Sequence, residues 1–121
     1  MIIDKSTYIH VLWPQKDLIQ ENVLNNNSIV CKFIYRNTSI LFTGDIEEIA
    51  ERKLINLYSS NILKSTILKV AHHGSKSSSV TEFISKVRPK VALIGVGENN
   101  KFGHPNEAVV DRLKRLWSIC V

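Results

Sequence analysis

Three short stretches concentrate side chains able to bind metal or move protons: Thr43-Gly44-Asp45, His72-His73-Gly74-Ser75 and Asn99-Asn100-Lys101-Phe102-Gly103-His104-Pro105. Asp and His are the natural oxygen and nitrogen ligands for zinc or manganese. Each stretch directly follows a run that reads as a strand. In open α/β sheets, sites form beyond the carboxyl ends of strands, which predicts that Asp45, His73 and His104 point into one cleft.

Each candidate also has a plainer role. Asp45 could cap a helix beginning at Ile46, a role compatible with ligation. Paired histidines before a glycine have little structural reason to exist. Side chains alternate along extended chain, so at most one should face a given site, leaving the other to orient a carboxylate or contact substrate. Gly74 permits a sharp turn, and Ser75 to Ser79 precede a predicted helix start, which suits a phosphate or simply a serine-rich loop. His104 could be an ordinary turn residue, and His10, inside a strand, reads as structural. No Gly-x-Ser-x-Gly elbow, phosphate-binding P-loop or Gly-x-Gly-x-x-Gly fingerprint occurs.

The elements that must position these residues alternate in type. Tyr8–Trp13 reads as a strand ended by Pro14, and residues 15–27 as an exposed, Asn-rich loop. Residues 28–35 and 38–43 form a predicted hairpin about Arg36-Asn37. A helix is predicted over 46–59, with Ile46, Ile49, Ala50, Leu54, Leu57 and Tyr58 on its apolar side and Glu47, Glu48, Glu51, Arg52 and Lys53 opposite. Strands follow at 66–71 and 91–96, the latter apolar enough to be buried on both faces. Helices are predicted at 80–87, capped by Ser79 with Glu82 at the third position, and at 106–117, with Ala108, Val109, Leu113, Leu116 and Trp117 facing inward. Another strand begins at Ile119. Strand–helix alternation from residue 38 onward makes this an α/β fold.

A chain of 121 residues suits one domain and leaves no room for two. Hydrophobic residues at 44% and charged residues at 22% exclude a disordered chain, and no apolar run approaches the roughly 20 residues that span a bilayer. The first residues do not read as a signal peptide, so direct membrane insertion is not expected. Sixteen Lys and Arg against eleven Asp and Glu give a net charge of +5, a mild lean toward anionic partners. Cys31 and Cys120 sit in apolar runs and read as buried thiols.

Asn25-Asn26-Asn27-Ser28-Ile29-Val30, Leu41-Phe42-Thr43-Gly44-Asp45, Leu68-Lys69-Val70-Ala71-His72-His73-Gly74-Ser75 and Phe102-Gly103-His104-Pro105 occur in that order. Together they resemble the metallo-β-lactamase-like hydrolase domain of bacterial ComEC-type DNA-uptake competence proteins, from about Tyr8 to the end of the chain. The resemblance implies a partial αββα sandwich, one sheet-plus-helices half. It implies that Asp45 bridges two divalent ions, zinc or manganese, and that His73, with His72 in reserve, binds one of them. His104 is implied as a catalytic proton donor or phosphate contact, and His72 and Ser75 as substrate contacts. Asn25 stands where many relatives of that superfamily carry a third-motif His.

The superfamily's His-x-His-x-Asp-His loop, which supplies most metal ligands and precedes these motifs, does not occur in the 121 residues. The chain is therefore expected to be the C-terminal portion of one such domain. In the complete domain, two ions would activate a water against a phosphodiester, with single-stranded DNA the leading substrate. By itself the chain is expected to be inactive, and to self-associate or pair with a complementary N-terminal half. Two other readings are open: a structural or DNA-contacting half-domain, and a hydrolase of phosphocholine esters or other small phosphodiesters. The expected compartment is extracytoplasmic within a membrane competence protein and cytoplasmic otherwise.

Overall fold

The computed structural model describes residues 1–116 and 119–121, without the side chain of Ile119. Seven strands form one sheet in chain order: β1 (Ile2–Asp4), β2 (Thr7–Trp13), β3 (Val30–Tyr35), β4 (Thr38–Phe42), β5 (Ile67–Lys69), β6 (Val91–Leu93) and β7 (Ile119–Cys120). The first four pair antiparallel, and β4 to β7 pair parallel. Between them lie α1 (Val23–Asn26), α2 (Glu48–Leu57), α3 (Ser60–Leu63), α4 (Thr81–Val87) and α5 (Glu107–Arg115). The predicted hairpin is present, with Tyr35 opposite Thr38 and Arg36 in the left-handed region at φ 53°. Trp117, assigned above to the inner face of the last helix, lies outside the described residues.

The sheet has two unlike faces. Lys32, Leu41, Leu68 and Ala92 lie in register across β3 to β6 and are buried. Ala50 and Leu54 of α2, Phe83, Ile84 and Val87 of α4, and Val109 and Leu113 of α5 share one core with them. The opposite face carries Ile9, Phe33, Ile40, Ile67 and Val91 in one row and Val11, Cys31, Phe42, Lys69 and Leu93 in the next. None of these ten belongs to the core, and Val11 and Phe42 are 59% and 43% exposed. The apolar run around β6 is thus buried on one face only. Cys31 and Cys120 are half-buried rather than buried, and burial raises both thiols above their ordinary range. One layer of helices on one side of a sheet is the half-sandwich expected from the motifs.

Several local readings are corrected. The helix predicted from Ile46 starts at Glu48, with Glu47 at its N-cap, so Asp45 caps nothing. Glu51, assigned to the polar face, is fully buried. Its carboxylate accepts the backbone N–H groups of Ser79 and Val80, the latter at 2.9 Å. That carboxylate, and not Ser79, terminates α4, whose N-cap is Val80. A carboxyl group of the protein itself thus occupies the helix start. Burial pushes Glu51 up from 4.5 to about 7, although the two N–H groups and nearby Arg112 oppose the rise. The Asn-rich segment also contains structure: Asn26 is buried, donates to the Glu21 carbonyl and accepts the Glu47 N–H.

Candidate functional site

The carboxyl ends of parallel strands β4, β5 and β6 each open into one of the three loops singled out by residue type. Two glycines bring the loops together. A Cβ on Gly44, at φ +53°, would lie 2.7 Å from Ser28 Cβ, and one on Gly74, at φ +78°, would lie 2.7 Å from Pro105 Cβ. Both contacts exclude any larger residue, and both conformations favour glycine. Hydrogen bonds complete the junctions: Asp45 N–H to Ser28 Oγ at 3.2 Å, His72 N–H to the Gly44 carbonyl at 2.9 Å, and Asn106 N–H to the Gly74 carbonyl at 2.9 Å.

The two histidines do not alternate. β5 ends at Lys69, and the chain enters a 3-10 turn over Ala71–Gly74 with His72 at φ 49° and His73 at φ 56°. Consecutive left-handed residues turn both rings toward the same loop. The His72 ring centroid lies 5.7 Å from that of His104, and the His73 centroid lies 6.5 Å from it. The expectation that only one histidine could face the site is overturned because the backbone is not extended there.

His73 Nδ1 lies 2.5 Å from the Gly95 carbonyl oxygen. A carbonyl can only accept, so Nδ1 carries a proton, and in the corresponding neutral tautomer the lone pair available to a metal is at Nε2. Nε2 faces Asp45 Oδ1 at 3.7 Å, both side chains about half-exposed. Asp45 and His73 thus face one another with the imidazole held from behind by a carbonyl, the kind of contact that orients metal-bound histidines. Yet no group of three or more His, Cys, Asp or Glu with metal-binding placement occurs among the described residues. A catalytic zinc site keeps about three protein ligands per ion. Asp45 and His73 are a partial donor set, and this chain's residues alone do not fit a two-ion centre.

His72 Nδ1 is buried without a hydrogen-bond partner and lies 3.9 Å from Glu47 Oε2. Asn22 holds the other oxygen of that carboxylate at 2.6 Å. His72 therefore stands between an oriented carboxylate and His104. Desolvation, then the neighbouring His72 and His73, lowers His104 below the ordinary histidine value. Phe102 stacks on the outer side of His104, with centroids 5.7 Å apart. A hollow of ≈170 Å³ is lined by His73, Val96, Gly97, Asn100, Phe102 and His104.

Asp45, His72, His73 and His104 are thus neighbours. Ser75 is buried, and its hydroxyl lies 2.9 Å from that of Ser77. Asn25 lies on α1, where its carbonyl accepts the Ser28 N–H at 3.1 Å and its side chain makes no hydrogen bond among the described residues. His10 is exposed on β2 with its ring edge-on to Tyr58. The sequence reading missed Glu47 and Asn100. Glu47 looked like one charge on the polar side of a helix, and Asn100 like one polar letter in a loop. The Asn100 amide accepts from Phe102 and His104 N–H and donates to the Gly97 and His104 carbonyls, which pins the whole turn.

The family model described as the metallo-β-lactamase superfamily matches residues 3–98. The chain is 37% identical over 111 residues to ComE operon protein 3 of Bacillus subtilis, covering 92% of this chain and 14% of that protein. It is 36% identical over 90 residues to competence protein ComA of Neisseria gonorrhoeae, covering 74% of this chain and 13% of the relative. Recombination protein 2 of Haemophilus influenzae is 37% identical over 94 residues, 78% of this chain and 11% of its own length. The chain therefore spans about one-seventh or less of these relatives. No helix among the described residues is long and apolar enough to cross a membrane.

Proposed function

Because the chain belongs to the metallo-β-lactamase superfamily, we propose that it is the C-terminal portion of a metal-dependent phosphodiester hydrolase domain acting on single-stranded DNA during DNA uptake. The observation that carries this reading is the pair of facing donors, His73 Nε2 and Asp45 Oδ1 at 3.7 Å, with Nδ1 tied to the Gly95 carbonyl. Competence and recombination proteins among the relatives favour DNA over a small phosphodiester. A net charge of +5 suits a polyanion. In this reading Asp45 and His73 are ligands contributed to a two-ion centre, Zn or Mn, whose remaining ligands come from a complementary segment. His104 and His72 face the substrate phosphate, and Asn25 stands in the place of a third-motif ligand. The open apolar face of the sheet supports the same division, since a second sheet seated there would complete the sandwich.

The test compares this chain with a longer protein that carries the His-x-His-x-Asp-His loop upstream. After dialysis against Zn or Mn, the 121-residue chain should retain almost no metal and leave single-stranded DNA intact, whereas the longer protein should retain two ions and cleave it. Robust, chelator-sensitive cleavage by the shorter chain would overturn the reading.

A further inference from the structure

Phe102 is 79% exposed in the turn that Asn100 closes. Leaving an aromatic ring in water forgoes burial energy of about 1.5–3 kcal/mol. The turn holds it outward. Asn100 Oδ1 accepts the Phe102 and His104 N–H groups at 3.2 and 2.9 Å, while Nδ2 donates to the Gly97 and His104 carbonyls at 3.3 and 2.6 Å. The ring is inclined 27° to His104, and His104 is inclined 16° to His73. Three rings therefore form a nearly parallel row that runs from solvent to the Asp45–His73 pair. Beside them lies the ≈170 Å³ hollow, whose wall also includes Val96 and Gly97. No carboxylate lines it.

From this row we infer that Phe102, with His104 behind it, is a stacking platform for one unpaired nucleobase of a strand that runs past His104. The inference rests on the nucleic-acid reading above and adds the residue that selects single strands. A planar ligand with an apolar face fits a row of rings, and every base offers such a face. In a duplex that face is already occupied by the neighbouring base pairs, so the platform discriminates without reading sequence. Lys101 is exposed next to Phe102 in the chain, where an ammonium suits a flanking phosphate.

The test measures binding to a single-stranded oligonucleotide containing one 2-aminopurine, and to a sugar-phosphate strand of equal length without bases. It uses this chain and the longer protein, without added metal. Phe102→Ala should weaken binding to the normal strand by about tenfold, since stacking of one base is worth about 1–3 kcal/mol. It should abolish the quenching of 2-aminopurine and leave affinity for the baseless strand unchanged, while Phe102→Trp should restore both affinity and quenching. Equal loss on both strands, or no loss on either, would overturn the platform while leaving the nucleic-acid reading standing. Failure of the unsubstituted proteins to bind any strand would overturn both. Phe102 touches no part of the core, so thermal unfolding should be unchanged in every variant.

Discussion

At the amino ends of β4, β5 and β6, Lys64, Arg88 and Lys90 line two adjoining hollows of ≈340 and ≈680 Å³; at the carboxyl ends, His73 and His104 line one of ≈170 Å³. Size and charge would draw attention to the amino end. Several of its buried polar groups, however, are matched. Lys32 Nζ donates to the Ile62 and Lys64 carbonyls at 2.9 and 2.5 Å. Ser39 and Thr66 exchange backbone-to-hydroxyl bonds in both directions. Lys64 and Arg88 occupy the C-caps of α3 and α4, where positive charge complements the helix ends. At the carboxyl end, His72 Nδ1 is buried with no hydrogen-bond partner among the described residues, and Asp45 and His73 face each other at 3.7 Å. Two adjacent residues there are also held in the left-handed region, a strain that clusters at functional sites. Unmatched polar atoms, not cavity volume, mark the carboxyl end as the proposed working end.

The largest effect that could break this contrast is at Asp45. In the longer protein, Asp45→Ala should reduce cleavage to background while shifting the stability of the metal-free form by no more than about 0.5 kcal/mol, because no hydrogen bond to its half-exposed carboxylate occurs among the described residues. Lys32→Met should do the reverse. It leaves the Ile62 and Lys64 carbonyls without their donor, at a cost of about 1–2 kcal/mol, and should not alter turnover. Paired activity assays and denaturant melts read both quantities. A Lys32 variant that loses activity at unchanged stability would remove the distinction between the two ends.

Glu51 offers an intermediate effect with a defined pH signature. Its folded pKa of about 7 lies above the unfolded value of 4.5, so the folded state holds the proton more tightly. The resulting stabilisation is complete below pH 4.5 and is lost as pH rises through about 7, amounting to about 3 kcal/mol across that window. Melting temperature should therefore fall over that window relative to Glu51→Gln, whose amide does not titrate. Parallel pH curves for the two proteins would show that the buried carboxylate is ionised throughout. Glu51→Ala, which strips both N–H groups of their acceptor, should be the less stable variant at every pH.

The α/β alternation was legible because β4, β5, β6 and the helices between them keep clean periodicities, and the three loops were legible because unusual residues follow strand ends. What escaped the sequence depended on partners remote in the chain. Glu51 reads as a surface charge until Ser79 and Val80, 28 and 29 residues away, supply their N–H groups. The pairing of His72 with His73 reads as extended chain until the Gly44 carbonyl captures the His72 N–H and Gly74 closes on Pro105. The apolar run of β6 reads as buried on both sides, since composition records hydrophobicity but not whether a second layer is present.

The smallest effect concerns Ser75, which residue type alone placed among the phosphate contacts. Its hydroxyl lies 2.9 Å from Ser77 Oγ and accepts the Ser77 N–H at 3.3 Å, so it closes the serine loop on itself. The backbone does the rest: Ser75 N–H donates to the His72 carbonyl at 2.9 Å, and the Ser75 carbonyl accepts from Ser78 N–H at 3.1 Å. Ser75→Ala keeps both backbone bonds and removes only the hydroxyl contacts, so the cost should be about 1 kcal/mol and the left-handed geometry of His72 should survive. Affinity for single-stranded DNA should change by less than about twofold, well short of the 1–3 kcal/mol expected for a lost base stack. A tenfold loss of affinity at unchanged melting temperature would instead mean that the loop reopens on binding and delivers Ser75 to a phosphate. In that case the boundary of the working end would extend from the histidines to the start of α4, and Glu51 would share that helix end with the substrate.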